Sequence, residues 1–265
     1  MLCEDSSTMA SALIGHTGTV GGSLLDATSF TDLYNSANVA ALAGRGYDLM
    51  VCSGAPASKW KANQDPAADL ANLQALMTAL NEVSVEQFIL ISTVDVFARP
   101  VQVDEASPVR SMDVDPYGRH RRLLEEFVQA RFSGAMIVRL PGLFGKRLKK
   151  NFIYDLLHGN ALHLTHRDSI FQFYDLSQLW RDLQIVLREA IPVIHFATGP
   201  VNAKDVAQRC FGITFDHETE KPAVYYDMRT RYSSLFHSSG DYLYEAEETL
   251  DRISRFVVEQ RERSV

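Results

Sequence analysis

The chain has 265 residues, 46% of them hydrophobic, which is ample for one large domain or one domain with an attached lobe and too apolar for a disordered chain. Its net charge of -7, from 26 basic and 33 acidic residues, argues against a nucleic-acid binder, which needs a basic footprint, but leaves room for a local cluster facing an anionic small molecule. No apolar run approaches the ~20 residues that span a bilayer, so no membrane partner is expected.

In chain order, SALIG (11–15) is a short apolar run ending in glycine, and TGTVGGSLLDA follows as a glycine-opened helix. FTDLYN (30–35) is a candidate strand, and ANVAALAGRG reads as a short helix ending on glycine. DLMVCSGA (48–55) has a buried-strand pattern. DPAADLANLQALMTALNEV opens with an Asp-Pro start signal and sets Leu70, Leu73, Leu76, Met77 and Leu80 on one helical face. QFILIST (87–93) is the clearest strand, residues 117–131 read as a helix, and AMIVRL (135–140) as the next strand. Strands alternating with helices predict βαβ units and a doubly wound parallel α/β sheet, Rossmann-like, over residues 1–145.

After Gly145 the pattern changes. KRLKK is a basic run, FQFYDLSQLWRDLQIVL reads as a strand running into a helix, VIHFATG (193–199) as a strand, and EAEETLDRISRFVVEQRER as an amphipathic helix. Residues 146–265 are expected to form a small substrate lobe together with elements that complete the sheet. Cys3, Cys52 and Cys210 stand far apart with no pairing or metal spacing, and the eight histidines show no ligand spacing, so no metal is assigned. The first residues, MLCEDSSTMA, carry two acids and no cationic leader, and a cytoplasmic location is expected. Trp60 and Trp180 are expected to be packing residues.

GHTGTVG places glycines at Gly15, Gly18 and Gly21 between a strand and a helix. Such a turn lets the backbone approach a pyrophosphate at the positive end of the helix, although the spacing differs from the commonest dinucleotide fingerprint. The strand that follows ends at Asn35 and Ser36. Neither is charged, so nothing there selects NAD over NADP, and one βα unit is shortened or missing before DLMVCSGA.

These segments together resemble the extended short-chain dehydrogenase/reductase family, of the NAD-dependent epimerase/dehydratase type, and keto-sugar reductases in particular. GHTGTVGG is similar to the family's glycine loop, VCSGA to the end of its fourth strand, and ISTVDVF to the stretch that carries its catalytic Ser or Thr. PYGRHR resembles the Tyr-x-x-x-Lys motif, with Arg121 in the lysine position. VRLPGLFG resembles the loop that packs on the nicotinamide, and FYDLSQL the family's later Asp-Leu motif. RTRYSSL (229–235) is similar to an Arg-Pro-x-x-Ser-x-Leu element, with Thr230 in place of proline. The likeness covers about residues 9–235 and keeps chain order.

The resemblance implies catalytic roles for Thr93, Tyr117 and Arg121, with Thr93 holding the substrate oxygen and Tyr117 exchanging its proton. It implies NAD or NADP contacts from Gly15, Thr17, Gly18, Thr19, Val20, Gly21, Asn35, Ser53, Gly54, Ala55, Pro141 and Leu143. A free phenol titrates near pH ~10, and a fixed cation beside it favours the phenolate. Arg121 supplies that charge four residues from Tyr117 on one helix face, but its planar fork is not equivalent to an ammonium. Asp95 is placed either to act as a base on a sugar carbon or to cap the turn after its strand. The acid that dehydratases carry directly after the threonine is Val94 here, which argues against dehydration. Lys150 in KRLKK, with Arg229 and Arg231, could clamp a substrate diphosphate.

The expected function is that of an NAD(P)-dependent reductase or epimerase acting on a sugar nucleotide. The alternative is a catalytically weakened scaffold or regulatory protein, favoured by Arg121 and the shortened βα unit. Helices 66–82 and 117–131 are expected to pair across a two-fold axis in a homodimer.

Overall fold

The computed structural model describes residues 9–263. Cys3 and the acidic start of the chain lie outside the described residues.

The chain opens with β1 (Ser11–Ile14), α1 (Thr19–Ala27), β2 (Asp32–Tyr34) and β3 (Gly46–Cys52). Next come α2 (Lys59–Gln64), α3 (Pro66–Asn81), β4 (Ser84–Thr93), the short β5 (Val101–Val103), α4 (Pro116–Arg131) and β6 (Met136–Leu140). β1, β2, β3, β4, β6 and β10 (Val193–His195) form one six-stranded parallel sheet in the order β10-β6-β4-β3-β1-β2. Leu24 of α1 and Leu179, Leu183 and Val186 of α6 (Leu179–Glu189) pack with one set of strand residues. Leu73, Leu76 and Leu80 of α3 and Leu124 and Val128 of α4 pack with the other set. Strands buried on both faces read as continuous apolar runs, which is why β4 and β6 stand out in the sequence.

Both long helices on the second face begin in the same way. Asp65 and Asp115 accept hydrogen bonds from the backbone N–H of Ala68 and Gly118, and Pro66 and Pro116 follow at the first helical position. The expected helix after β2 is instead a single 3-10 turn, Val39–Leu42. The chain therefore passes directly from β2, on one side of β1, to β3 on the other. The unit missing from the sequence pattern is missing from the fold, and the sheet reverses its direction of growth at β1.

Beyond Gly145 a separate apolar cluster forms around Phe152 and Ile153 of α5 (Phe152–His158), Phe211, Phe215, and Ile253 and Phe256 of α7 (Ala246–Arg263). Small pairings tie it to the sheet: β7 (Gly142–Phe144) with β9 (Phe173–Asp175), β8 (Ile170–Phe171) with β11 (Val201–Asn202), and β12 (Asp227–Met228) with β5. The buried Gln172 side chain binds both backbone groups of Met228, at 2.7 Å each, and so fixes β12. Trp180 meets Phe30 edge-on, but Trp60 is 63% exposed, contrary to its expected packing role, because α2 is a six-residue surface helix. Among the described residues no helix is long and apolar enough to cross a membrane.

Candidate functional site

The crevice forms where β1 meets β3. Gly15 N–H donates to Tyr34 O, Ser53 N–H donates to Ile14 O, and the Ser53 hydroxyl donates to the same carbonyl at 2.9 Å. Gly15 has φ +87, and a Cβ there would stand 2.4 Å from Ser53 O; a Cβ on Gly21 would stand 2.3 Å from Gly15 O. Those two glycines are required by the turn itself. Gly18 begins α1 without any side-chain cap, which leaves the first amides of that helix for another acceptor. Asn35 closes the end of β2: its side-chain oxygen accepts from Ala37 N–H, and its amide lies 3.2 Å from His16 Nε2.

Across the crevice, α4 is pressed onto the turn after β4. A Cβ on Gly118 would lie 1.9 Å from Asp95 O, so only glycine permits this approach. The contact brings the Tyr117 phenol beside Thr93, near enough for the threonine side chain to act on its ionisation. Tyr117 is buried. Burial pushes its phenol up, with Asp95 adding to the effect, while Arg121, Lys59 and Thr93 act in the opposite sense. Thr93 also caps the Val94–Val96 turn by accepting from Asp95 N–H at 3.2 Å. The capping role open to Asp95 is thus taken by Thr93, and the Asp95 carboxylate instead pairs with Lys59 at 2.9 Å and lies 3.4 Å from the Tyr226 hydroxyl. Val94 is buried against Ala197 and Met228.

Arg121 does not project freely into the crevice. It is 3% exposed, lies 4.0 Å from the Tyr117 ring centroid, and donates to Asp69 of α3 and to the Pro56 carbonyl. His120 Nδ1 is 2.8 Å from the same Asp69 oxygen. Arginine is long enough to reach past the crevice to α3, so its charge is largely answered by a carboxylate. Its Nε is buried with no hydrogen-bond partner.

Lys59, Asn63, Asp115 and Tyr226 join the site without having been singled out in the sequence. Burial works against the Lys59 ammonium, but Asp95, with Tyr226 and Asp115, more than restores it and raises its pKa. Tyr226 is pushed up to about 12 by burial and by Asp95. Asn63 links the two helices, donating to Asp115 and accepting from Tyr117 N–H. Lys59 and Asn63 sit four apart on α2, the one faint signal that both face the same way.

The expected diphosphate clamp is not assembled as a unit. Arg229 is held by Asp227 and Asp241, both at 3.1 Å, and Arg231 is largely exposed, with Asp104 4.0 Å away. Lys150 lies elsewhere, donating to the Ala57 carbonyl. Thr230 explains why proline is absent from RTRYSSL: its N–H donates to Asp241 O and its hydroxyl to Glu105, bonds that proline cannot make. Pro141 is buried and Leu143 half-buried at the start of the segment that leads from β6 to Lys150.

The NAD dependent epimerase/dehydratase family model matches residues 6–185, and the chain belongs to that family. No curated protein matches the chain by sequence. Several solved structures share its fold. A dTDP-4-dehydrorhamnose reductase from Clostridium acetobutylicum ATCC 824 superposes with TM-score 0.70 at 17% identity, covering 96% of this chain and 100% of the other. A UDP-N-acetylglucosamine 4-epimerase from Methanobrevibacter ruminantium M1, in complex with UDP-N-acetylmuramic acid, gives TM-score 0.73 at 13% identity over 96% and 99%. A dTDP-4-dehydrorhamnose reductase from Bacillus anthracis str. Ames, in complex with NADP, gives 0.72 at 16% over 95% and 98%.

Proposed function

We propose that the chain is an NAD(P)-dependent reductase or epimerase acting on a nucleotide-linked sugar, with Tyr117 as proton donor or acceptor. The observation that carries this reading is the placement of the buried Tyr117 beside Thr93 at the carboxyl edge of β4, next to the switch point of the sheet. The family and the sugar-nucleotide enzymes of the same fold support it.

The residues present fit a dinucleotide. The uncapped start of α1 offers amides to a diphosphate, and the carboxyl edge of β3 forms the opposite wall. When bound, NAD(P) would supply or accept the hydride. Thr93 would hold the reacting oxygen of the sugar, and Tyr117 would give or take its proton. The burial of Tyr117 keeps the phenol protonated, which suits a proton donor in the reductive direction. Lys59 and Asp95 would flank the sugar as a matched ion pair.

NADH and NADPH titrations followed by nicotinamide fluorescence test the binding step. Tyr117→Phe is expected to lower turnover of a nucleotide-linked keto-sugar by about 10² or more while leaving cofactor affinity nearly intact. Unchanged turnover would remove Tyr117 from the mechanism. A second reading, a scaffold without turnover, is favoured by the commitment of Arg121 to Asp69. Failure of both cofactors to bind at millimolar concentration would select it. The homodimer expected through α3 and α4, which pack side by side, is open to sedimentation velocity.

A further inference from the structure

One phenol of the crevice comes from the segment after Gly145. Tyr226 stands just before β12, and its backbone is fixed from two sides. Its N–H donates to the Ile170 carbonyl at 3.1 Å, and the next N–H, of Asp227, donates to the Pro100 carbonyl at 2.7 Å. The ring is half-buried against the cluster of Val94, Ala197 and Met228. Val94 follows Thr93 directly, so this packing carries a side chain of the second lobe to the turn beside Tyr117.

The hydroxyl of Tyr226 is left short of a partner. It lies 3.4 Å from Asp95 Oδ1, whereas a well-formed bond between two oxygens is about 2.7–2.8 Å. Lys59 Nζ holds the same Oδ1 at 2.9 Å, and among the described residues none donates to Asp95 Oδ2. The fixed backbone keeps the ring from closing the gap. Burial, reinforced by Asp95, pushes the Tyr226 phenol up to about 12, so it remains a donor at neutral pH. A carboxylate that only accepts therefore faces a phenol and an ammonium that donate, with bonding capacity to spare. That set matches an alcohol, whose O–H is given to Asp95 while its oxygen accepts from Tyr226 or Lys59. Asp95 is two residues past Thr93, and Thr93 Oγ1 accepts its N–H at 3.2 Å, so the alcohol belongs to a carbon close to the one whose oxygen Thr93 would hold.

We propose that Tyr226 is a specificity-determining residue: with Asp95 and Lys59 it reads one hydroxyl of the sugar, on a carbon beside the reacting one. This rests on the reading of the crevice as a sugar-nucleotide site. It adds what the site selects, a hydroxylated ring over its deoxy counterpart, because a deoxy sugar leaves the carboxylate and the phenol desolvated and unpaired.

Calorimetric titration of the full chain with UDP-glucose and dTDP-glucose, followed by the matching deoxyglucose nucleotides that each lack one ring hydroxyl, tests the assignment. One deoxy form is expected to bind the native chain about 10–100-fold more weakly than its parent. Tyr226→Phe keeps the ring and its packing, and is expected to remove most of that penalty by weakening the parent alone. Asp95→Ala, on the other side of the gap, is expected to erase the penalty for the same deoxy form. Tyr225→Phe, whose ring is exposed and outside the cluster, should retain it in full. A purely structural role would weaken all the sugars alike and leave their ratios unchanged. Equal affinity for every deoxy form in the native chain, or an undiminished penalty in Tyr226→Phe, overturns the proposal. Failure of both parent nucleotides to bind at millimolar concentration overturns the sugar-nucleotide reading as well, an outcome distinct from binding without discrimination.

Discussion

Two buried arginines invite comparison, because each sits with one carboxylate, one histidine and one aromatic ring. Arg139 of β6 binds both oxygens of Glu125, at 3.0 and 2.7 Å, contacts His195 Nε2 at 3.2 Å and lies 5.2 Å from the Phe97 ring. Ser92 and Arg122 complete the Glu125 shell. Arg121 binds a single oxygen of Asp69, shares it with His120, lies over Tyr117 and leaves Nε unpartnered. The first cluster is closed: every nitrogen of Arg139 has a partner, so it joins α4, β4, β6 and β10 as structure. The second is open, and it stands beside the crevice. Complete hydrogen bonding marks a group that serves the fold, and incomplete bonding in the same kind of cluster marks one that can still accept a ligand.

The largest expected effect breaks the closed cluster. Glu125→Ala leaves Arg139 buried without its carboxylate and is expected to cost about 3–5 kcal/mol, read from the urea midpoint. Asp69→Asn is expected to cost less, about 2 kcal/mol, since the amide oxygen can still accept from Arg121. A loss as large as that of Glu125→Ala would erase the distinction between the clusters.

The smallest effect is in pH dependence. Arg139 can only donate, so His195 Nε2 accepts and Nδ1–H donates to Arg229 O at 2.9 Å. Burial, reinforced by Arg139, depresses the His195 pKa below 6.5, although Glu105 and Glu125 oppose the shift. The unfolded chain then binds more protons below 6.5, so this group lowers stability as pH falls through that value. His195→Gln should remove that part of the slope between pH 7 and 5. Burial opposes ionisation of Asp69, but Arg121 and His120 outweigh it and hold the pKa below 3.8. Its contribution is present above 3.8 and is lost only as pH falls through the lower folded value, so Asp69→Asn should alter the profile below about pH 4 alone.

The sheet was legible because period and punctuation are local. Apolar runs marked β3, β4 and β6, and Asp-Pro marked the start of α3. The shortened unit between β2 and β3 was legible from the scarcity of residues there. Of the site, Thr93 and Tyr117 were named by the resemblance of their motifs to those of the family. Lys59 and Asp69 were not found, because nothing in six residues of surface helix or in an apolar helical face declares a partner on another element.

The sequence alone marked the main strands and helices of the sheet and the glycine turn after β1, and its family resemblance paired a phenol with a threonine hydroxyl. Only the tertiary structure decided where the charges went. It turned Arg121 to Asp69, gave Asp95 to Lys59, and split Arg229 and Arg231 from Lys150. The physical reason is range: hydrophobic period and backbone capping act within a few residues, whereas ion pairs join groups 36 and 52 positions apart that meet only once the core has packed.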